Sequence, residues 1–203
     1  MKKLAVIGIM ILTLALPSCS VFDSKTRDAA RAFGVAMELY PAEEYEESRW
    51  RITAPDGDAM LAFDNMGVDM AVDAAPFAAA GADLSKLDTA QTIFYPDGES
   101  LNFSSPGSDM LNRNIKSTPL AQFEYNLQCL RDYLSYSEDT GRYSLNVDGL
   151  DNKIAFFEWA KDPGKDDKRM SFVIDAQPFI NAGVDPESVE GWEFAQDRFI
   201  KTF

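Results

Sequence analysis

The 203-residue chain contains no histidine and only two cysteines, Cys19 and Cys129. The absence of histidine excludes Ser–His and Cys–His nucleophilic sites, histidine general bases and zinc sites built on imidazole. The sequence also lacks a glycine-rich phosphate loop, a nucleophile elbow and a cysteine cluster. We therefore expect no cofactor, and the most plausible enzyme would be a carboxylate-dependent hydrolase.

Basic residues are scarce: 19 Lys and Arg stand against 33 Asp and Glu. Beyond residue 19 the count is 17 basic against 33 acidic side chains. This excess of negative charge repels nucleic-acid phosphates and anionic lipid headgroups. We expect no nucleic-acid partner. Solubility on a crowded cell envelope explains the charge, and a cationic partner is the alternative.

Long apolar runs are also missing, because the run from Leu4 to Leu16 has only 13 residues. As a helix it would span about 20 Å, which is shorter than a bilayer core of about 30 Å. Lys2 and Lys3 precede the run and small residues follow it. This pattern is typical of a secretory signal over residues 1–19.

The end of this signal, Leu16-Pro17-Ser18-Cys19, resembles the lipobox of bacterial lipoproteins. The resemblance implies that Cys19 is lipidated and becomes the first residue of the mature chain, which the lipid then holds on a membrane. Ser20 follows the cysteine where an Asp would resemble an inner-membrane retention signal, so the outer membrane or cell surface is favoured. Cleavage as an ordinary signal, or no cleavage, is the alternative. With Cys19 lipidated, Cys129 is left alone and no internal disulfide can form.

Hydrophobic periodicity predicts an α+β fold with antiparallel sheet and helices on one face. A helix is predicted from about Ser24 to Tyr40 and a second from Thr118, with Pro119 at its first position, to Leu134. The acidic stretch from Glu43 to Glu47 is interpreted as a solvated connection. Alternating residues predict strands near residues 50–54, 60–64, 68–72, 93–95, 101–103, 143–147, 154–159, 170–174, 192–194 and 199–203.

An eleven-residue motif occurs twice, as DAAPFAAAGAD at residues 73–83 and DAQPFINAGVD at residues 175–185, with seven identical positions. The predicted elements around both copies follow the same order. We therefore predict an internal duplication of α-βββ-α-ββ halves. The predicted boundaries are a signal at 1–19, a first repeat at 20–104, a linker at 105–117 and a second repeat at 118–203.

Every repeated residue of the motif has a structural interpretation. Asp73 and Asp175 would cap a short helix whose first turn tolerates Pro76 or Pro178. The glycines would supply a left-handed helix end, and the second pair of aspartates would cap a further turn. The remaining residues of this predicted structural motif are Phe77, Gly81, Asp83, Phe179, Gly183 and Asp185. The catalytic alternative treats Asp73 and Asp175 as a carboxylate pair, which requires them to lie about 5–10 Å apart.

Other candidate sites have weaker signals. Three groups of oxygen donors could bind Ca²⁺, but none has the spacing of a calcium loop, and turn residues explain them. Cys129 lies opposite the apolar stripe of its helix with no basic neighbour to activate it. Core packing explains the tryptophans better than a ligand groove does. The calcium candidates are Asp56 with Asp58, then Asp148 with Asp151 and Asn152, and Asp162 with Asp166 and Asp167; the tryptophans are Trp50, Trp159 and Trp192.

These observations predict a membrane-anchored, non-catalytic envelope lipoprotein with a binding or scaffolding role. A module that binds a small ligand or glycan in a cleft between the repeats is the first alternative. A carboxylate-dependent hydrolase is the second.

Overall fold

The computed structural model of the chain describes residues 24–87, 94–106, 118–148, 153–166 and 169–203. Within these residues, twelve strands form two antiparallel six-stranded sheets, accompanied by four α-helices. The predicted α+β class is therefore confirmed. The predicted signal, with its lipidation site at Cys19, and residues 107–117 of the predicted linker lie outside the described residues.

Each half is a helix followed by strands, a short helix, a 3₁₀ turn and a hairpin. The first half contains α1 (Ser24–Met37), β1 (Glu43–Glu46), β2 (Arg49–Thr53), β3 (Ala59–Phe63), β4 (Val68–Asp73), α2 (Ala75–Ala79), a 3₁₀ turn (Leu84–Lys86), β5 (Phe94–Pro96) and β6 (Ser100–Ser104). The second half contains α3 (Pro119–Cys129), a 3₁₀ turn (Arg131–Tyr133), β7 (Leu134–Ser137), β8 (Arg142–Asn146), β9 (Ala155–Ala160), β10 (Met170–Asp175), α4 (Gln177–Asn181), a 3₁₀ turn (Pro186–Ser188), β11 (Glu193–Ala195) and β12 (Arg198–Thr202).

The two sheets have the same topology. The strand order is β1-β2-β3-β4-β6-β5 in the first sheet and β7-β8-β9-β10-β12-β11 in the second. The register also agrees, because Asp73 of β4 pairs with Ser100 of β6 just as Asp175 of β10 pairs with Arg198 of β12. An internal duplication, which remains our interpretation, would produce this repeated order.

The predicted strand count was wrong, because each half has four strands before its short helix rather than three. β1 occupies the acidic stretch that we interpreted as a connection, and all four of its residues are exposed. As an edge strand it has no buried face and hence no apolar alternation.

β7 starts at Leu134, where we predicted that the helix α3 would still continue. The helix in fact ends at Cys129.

The two halves share one hydrophobic core. Phe33 of α1 stacks on Phe123 of α3, with ring centroids 3.7 Å apart. Phe33 also contacts Phe63 in the first sheet and Trp159 in the second. The Trp159 indole N–H donates a hydrogen bond of 2.9 Å to the Ala29 carbonyl. Helices α1 and α3 therefore pack against the inner faces of both sheets.

In the part of the chain that the structure describes, no helix combines the length and apolarity needed to cross a bilayer.

Candidate functional site

The two copies of the repeated motif meet at the junction between the halves. The Asp83 N–H donates to the Ala182 carbonyl and the Asp185 N–H donates to the Ala80 carbonyl, both at 2.9 Å. These two hydrogen bonds are equivalent, because each links the same position of one motif to the other motif. The motif therefore forms a self-complementary contact between the halves.

Glycine is required twice at this junction. Gly81 and Gly183 have φ values of +102° and +105°, which side chains with a Cβ rarely adopt. A Cβ on Gly81 would lie 2.9 Å from the Gly183 carbonyl oxygen, and a Cβ on Gly183 would lie 3.1 Å from the Gly81 oxygen. The backbones approach so closely that neither position has room for a side chain.

The motif phenylalanines fill the space behind the glycines. Phe77 and Phe179 are fully buried, and their ring centroids lie 5.0 Å apart. Phe77 also contacts Phe199 at 5.2 Å and Trp192 at 5.5 Å, both from the second half. We expected each phenylalanine to anchor its short helix to the sheet. The structure shows that they also join the two halves.

The first pair of motif aspartates does not occupy the N-cap positions that we predicted, because Ala74 and Ala176 are the N-caps of the short helices. These aspartates instead accept backbone hydrogen bonds in the turns that lead into the helices. Asp73 Oδ1 accepts from the Ala75 N–H at 2.8 Å, and Asp175 Oδ1 accepts from the Gln177 N–H at 2.9 Å. Pro76 and Pro178 are each the second residue of the short helix. The second pair caps the following 3₁₀ turns: Asp83 accepts from Ser85 N–H at 3.2 Å and Asp185 from Glu187 N–H at 3.3 Å. All four carboxylates thus have a local structural role.

Lys201 binds the aspartates of the first calcium candidate. It comes from β12, and its side chain is only 4% exposed. Its Nζ lies 2.5 Å from Asp56 Oδ2 and 3.2 Å from Asp58 Oδ2, both on the β2–β3 turn of the other half. Partial burial opposes ionisation of Asp56, but the hydrogen bond and charge of Lys201 outweigh it, so the pKa of Asp56 lies below its ordinary value. This ion cluster connects the halves beside the motif.

The other calcium candidates also have protein partners. Asp148 is 1% exposed, and its Oδ2 accepts hydrogen bonds from the Ile154 and Ala155 N–H groups. Asp162 forms an ion pair with Lys165 at 2.8 Å. Asp151, Asn152 and Asp167 lie outside the described residues. Among the residues that the structure describes, no group of three or more acidic or cysteine side chains is arranged to hold a metal ion.

The tryptophans lie in or against the hydrophobic core, and Cys129 lies at the end of α3. Trp159 is fully buried and Trp192 is 9% exposed, whereas Trp50 is partly buried and packs against the core. Cys129 is half-buried at the end of α3 and carries a free thiol.

Three concave surfaces of the described residues lie on the sheets, and the larger one on the first sheet is bordered by Asp58 and Asp73 of the junction. A groove of about 480 Å³ lies on the outer face of the second sheet, and a shallower depression of about 420 Å³ lies on the corresponding face of the first sheet. A smaller depression of about 280 Å³ lies beside Tyr45, Asp64 and Asp69. The groove on the second sheet, which we call the outer groove, has the richest set of polar groups.

A charged network occupies one end of the outer groove. The Arg142 side chain is 12% exposed and lies 3.1 Å from Asp166 and 3.5 Å from Glu158. Its third nitrogen donates to Ser171 Oγ at 3.1 Å, and Ser171 Oγ in turn lies 3.2 Å from Thr202 Oγ1. Asp166 comes from the long β9–β10 connection, which folds back towards the sheet. Donors and acceptors therefore lie side by side on a fixed surface.

The other end of the outer groove is apolar and cationic. Val173 and Ile200 form part of its lining, and Arg198 lies beyond them with its guanidinium 5.5 Å from the centre of the Phe156 ring. Arg198 is exposed, and the β11–β12 turn places Gln196 beside it with a φ of +52°. The groove thus combines an arginine–carboxylate network, hydroxyl groups, an apolar centre and an exposed arginine.

The outer groove has no counterpart among the sites predicted from the sequence. Its lining comes from five strands and three connections that are spread along the second half of the chain, so no local motif marks it. One signal was present: β10 has the large apolar residues Phe172-Val173-Ile174 in succession, whereas β4 has the small Ala71 between Met70 and Val72 and the charged Asp69 before them. A strand that is apolar at successive positions is covered on both faces, and every residue of β10 except Asp175 is buried.

Comparison of the chain with protein-family models, curated proteins and solved structures found no significant match.

Proposed function

We propose that this protein is a non-catalytic lipoprotein of the bacterial envelope, anchored through Cys19, which binds a hydroxylated ligand such as a glycan in the outer groove. The observation that carries the ligand assignment is the Arg142–Glu158–Asp166 network beside the hydroxyls of Ser171 and Thr202. The described junction between the halves is filled by side chains, so we place the ligand in the outer groove rather than between the repeats.

The chemistry of the groove favours a ligand with several hydroxyl groups. A sugar hydroxyl both donates and accepts hydrogen bonds, and the groove offers carboxylate acceptors next to guanidinium donors. The partly exposed Ile200 can pack against the apolar face of a sugar ring, while exposed Arg198 can reach a charged or hydroxyl substituent. A volume of about 480 Å³ accommodates one or two sugar rings.

The anchor is proposed from the lipobox resemblance. It agrees with the short stretch of sequence between Cys19 and the first helix. The first described helix begins at Ser24, five residues after Cys19. A non-catalytic role is proposed because the motif aspartates act as turn acceptors and the chain lacks histidine.

Fractionation of cells that express the full chain tests the anchor. We expect the native protein in the membrane fraction, with an intact mass that includes acyl groups. Cys19→Ser should move it to the soluble fraction without those groups, while Cys129→Ser, the matched cysteine control, should leave it on the membrane. Membrane association that survives Cys19→Ser would contradict the proposal.

A thermal-unfolding screen with saccharides tests the ligand. A ligand at 100 times its dissociation constant stabilises the folded state by about 2.7 kcal/mol, which raises the unfolding midpoint measurably. We expect Arg198→Ala to abolish this rise. Two controls should retain it: Ser100→Ala, at the corresponding position of the first sheet, and Arg131→Ala, another exposed arginine. A ligand that stabilises Arg198→Ala as much as the native chain binds elsewhere, and a screen with no stabilising saccharide refutes the ligand class.

A further inference from the structure

The exposed face of α1 differs from the rest of this acidic protein. Arg27, Arg31 and Val35 follow one another at four-residue intervals and therefore lie along one side of the helix. Leu39 extends this row into the turn after α1, where its N–H donates to the Ala36 carbonyl at 3.1 Å. We call these four residues the α1 stripe.

The α1 stripe is exposed and partly apolar. The Arg31 side chain is 80% exposed, while Val35 and Leu39 are 42% and 52% exposed. Only four large hydrophobic residues are exposed among those described, and the α1 stripe contains two of them. The opposite side of α1, including Phe33 and Ala36, is buried in the core. The stripe is therefore held on a helix that cannot rotate without breaking the core.

The charge of α1 is opposite to that of the rest of the chain. Residues 24–39, which include the whole α1 stripe, contain three basic side chains and two acidic ones, Asp28 and Glu38, whereas the full chain has a formal net charge of −14. Asp28 contacts Arg31 at 3.3 Å, but both side chains are exposed, so water screens this pair strongly. A negatively charged plane would attract this face and repel the acidic remainder of the protein.

The position of the lipid anchor limits where such a plane could lie. Ser24 is five positions after Cys19, and a chain of that length extends at most about 18 Å. A lipidated Cys19 would therefore hold the start of α1 close to the headgroups of the leaflet that contains the acyl chains.

We infer that the α1 stripe docks on the anionic lipid headgroups of the membrane that anchors the protein. Arg27 and Arg31 contact the headgroups, and Val35 and Leu39 pack into the interfacial layer, as is usual for amphipathic helices at a bilayer surface. Attraction of α1 and repulsion of the acidic remainder fix one orientation of the domain. This inference rests on the proposed anchoring at Cys19.

The test uses the full lipidated chain in vesicles of phosphatidylcholine, with or without phosphatidylglycerol. In a Cys129→Ser background, Val35→Cys receives a fluorophore that responds to polarity, and Glu99→Cys on the exposed β5–β6 turn serves as the control site. We expect the label at position 35 to shift towards an apolar environment only on vesicles with phosphatidylglycerol. The label at position 99 should not respond.

Charge reversal checks the cause of that shift. Arg27→Glu with Arg31→Glu should reduce the docked population on the order of tenfold or more, because each arginine near an anionic surface contributes measurably to binding. Salt at about 1 M, where the Debye length is about 3 Å, should also weaken docking of the chain that keeps both arginines. This second measurement does not depend on whether the charge-reversed variant folds.

The outcomes separate the two proposals. A chain that carries no lipid at Cys19 refutes both the anchor and the docking. A chain that is lipidated and sediments with vesicles, but whose label at position 35 behaves alike on neutral and anionic vesicles, refutes the docking alone. A shift that charge reversal and salt both leave unchanged also refutes it, because the contact would then not depend on the arginines.

Discussion

The two halves agree at the junction and on their inner faces but differ on their outer faces. Both sheets have the same strand order, and the motif copies form equivalent hydrogen bonds. On the outer faces, Ala62 and Ala71 of the first sheet occupy the places that Glu158 and Val173 occupy in the second. Residues that contact the other half therefore make equivalent contacts in both halves, whereas residues on the outer faces differ in size and charge. The outer face is free to acquire a separate role.

The junction itself contains one asymmetry. Lys201 of β12 occupies the core-facing position that Phe103 occupies in β6, since they pair with Phe172 and Met70 respectively. Phe103 is fully buried among apolar neighbours, whereas Lys201 extends to the Asp56–Asp58 turn. The same position therefore holds a buried aromatic ring in the first half and a buried, ion-paired lysine in the second.

We expect the largest loss of stability from adding a methyl group to the glycines at which the two motif copies meet. Gly81→Ala and Gly183→Ala should each lower the free energy of unfolding by about 3 kcal/mol, from positive-φ strain and overlap with the facing carbonyl. Gly57→Ala is the control, because Gly57 has a φ of +87° with no atom within 4 Å of a Cβ. It should cost only about 1 kcal/mol. Urea unfolding measures all three, and equal losses at Gly57 and Gly81 would show that the contact is unimportant.

The second effect concerns the ionic position of the junction. Lys201→Met should cost about 2 kcal/mol, below the usual loss for a fully buried pair because its carboxylate partners are partly exposed. Adding Asp56→Asn and Asp58→Asn should recover much of this loss, since no carboxylate then remains unpaired. Because the pKa of Asp56 is lowered, the stabilisation is complete above about pH 4 and is lost as pH falls through the folded-state pKa. Unfolding measured across acidic pH checks this, and an acid profile unchanged by Lys201→Met would be the contrary result.

The third effect compares two turn aspartates with opposite pKa shifts. Burial raises the pKa of Asp148 despite its backbone hydrogen bonds, whereas backbone N–H groups lower the pKa of exposed Asp97. The contribution of Asp148 to the free energy of unfolding is therefore most favourable below about pH 3.9. It decreases as the pH rises towards the pKa of Asp148 in the folded state. Asp148→Asn keeps an acceptor oxygen and should add about 1 kcal/mol at pH 7. Asp97→Asn should change stability with the opposite sign, and a loss at both positions would refute the comparison.

The smallest effect is expected at the motif aspartates. Asp73→Asn and Asp175→Asn should each change the free energy of unfolding by less than about 0.5 kcal/mol, because asparagine provides the same turn acceptor. Asp73→Ala and Asp175→Ala should each cost about 1 kcal/mol, equally in both halves. Unequal losses in the two halves would show that one of these aspartates does more than close a turn.

The sequence predicted what depends on local patterns. Alternating residues located ten strands, and the repeated motif indicated the common order of the halves. β1 was missed because its residues Glu43-Glu44-Tyr45-Glu46 are exposed on both faces, and charge is a common protection of edge strands. The end of α3 was missed because Leu130 and Leu134 are both buried and continue the helical spacing, although a strand begins at the second of them.

The site was less predictable than the fold because it depends on contacts between distant parts of the chain. Lys201 follows Ile200 in a strand, and nothing nearby in sequence indicates that its ammonium meets Asp56 in the other half. Arg142 and Asp166 come together only because the β9–β10 connection returns to β8. Such pairs become visible only when the register of the sheet is known.

The placement of α1 and α3 between the sheets has a consequence for how the chain acquires its structure. Phe33 finds its stacking partner Phe123 some 90 positions later and its indole neighbour Trp159 later still. A first half without the second would therefore lack both of these partners of Phe33, although Phe63 of the same half would still be present. We expect folding to be slow and all-or-none, with closure of these long loops as the limiting step.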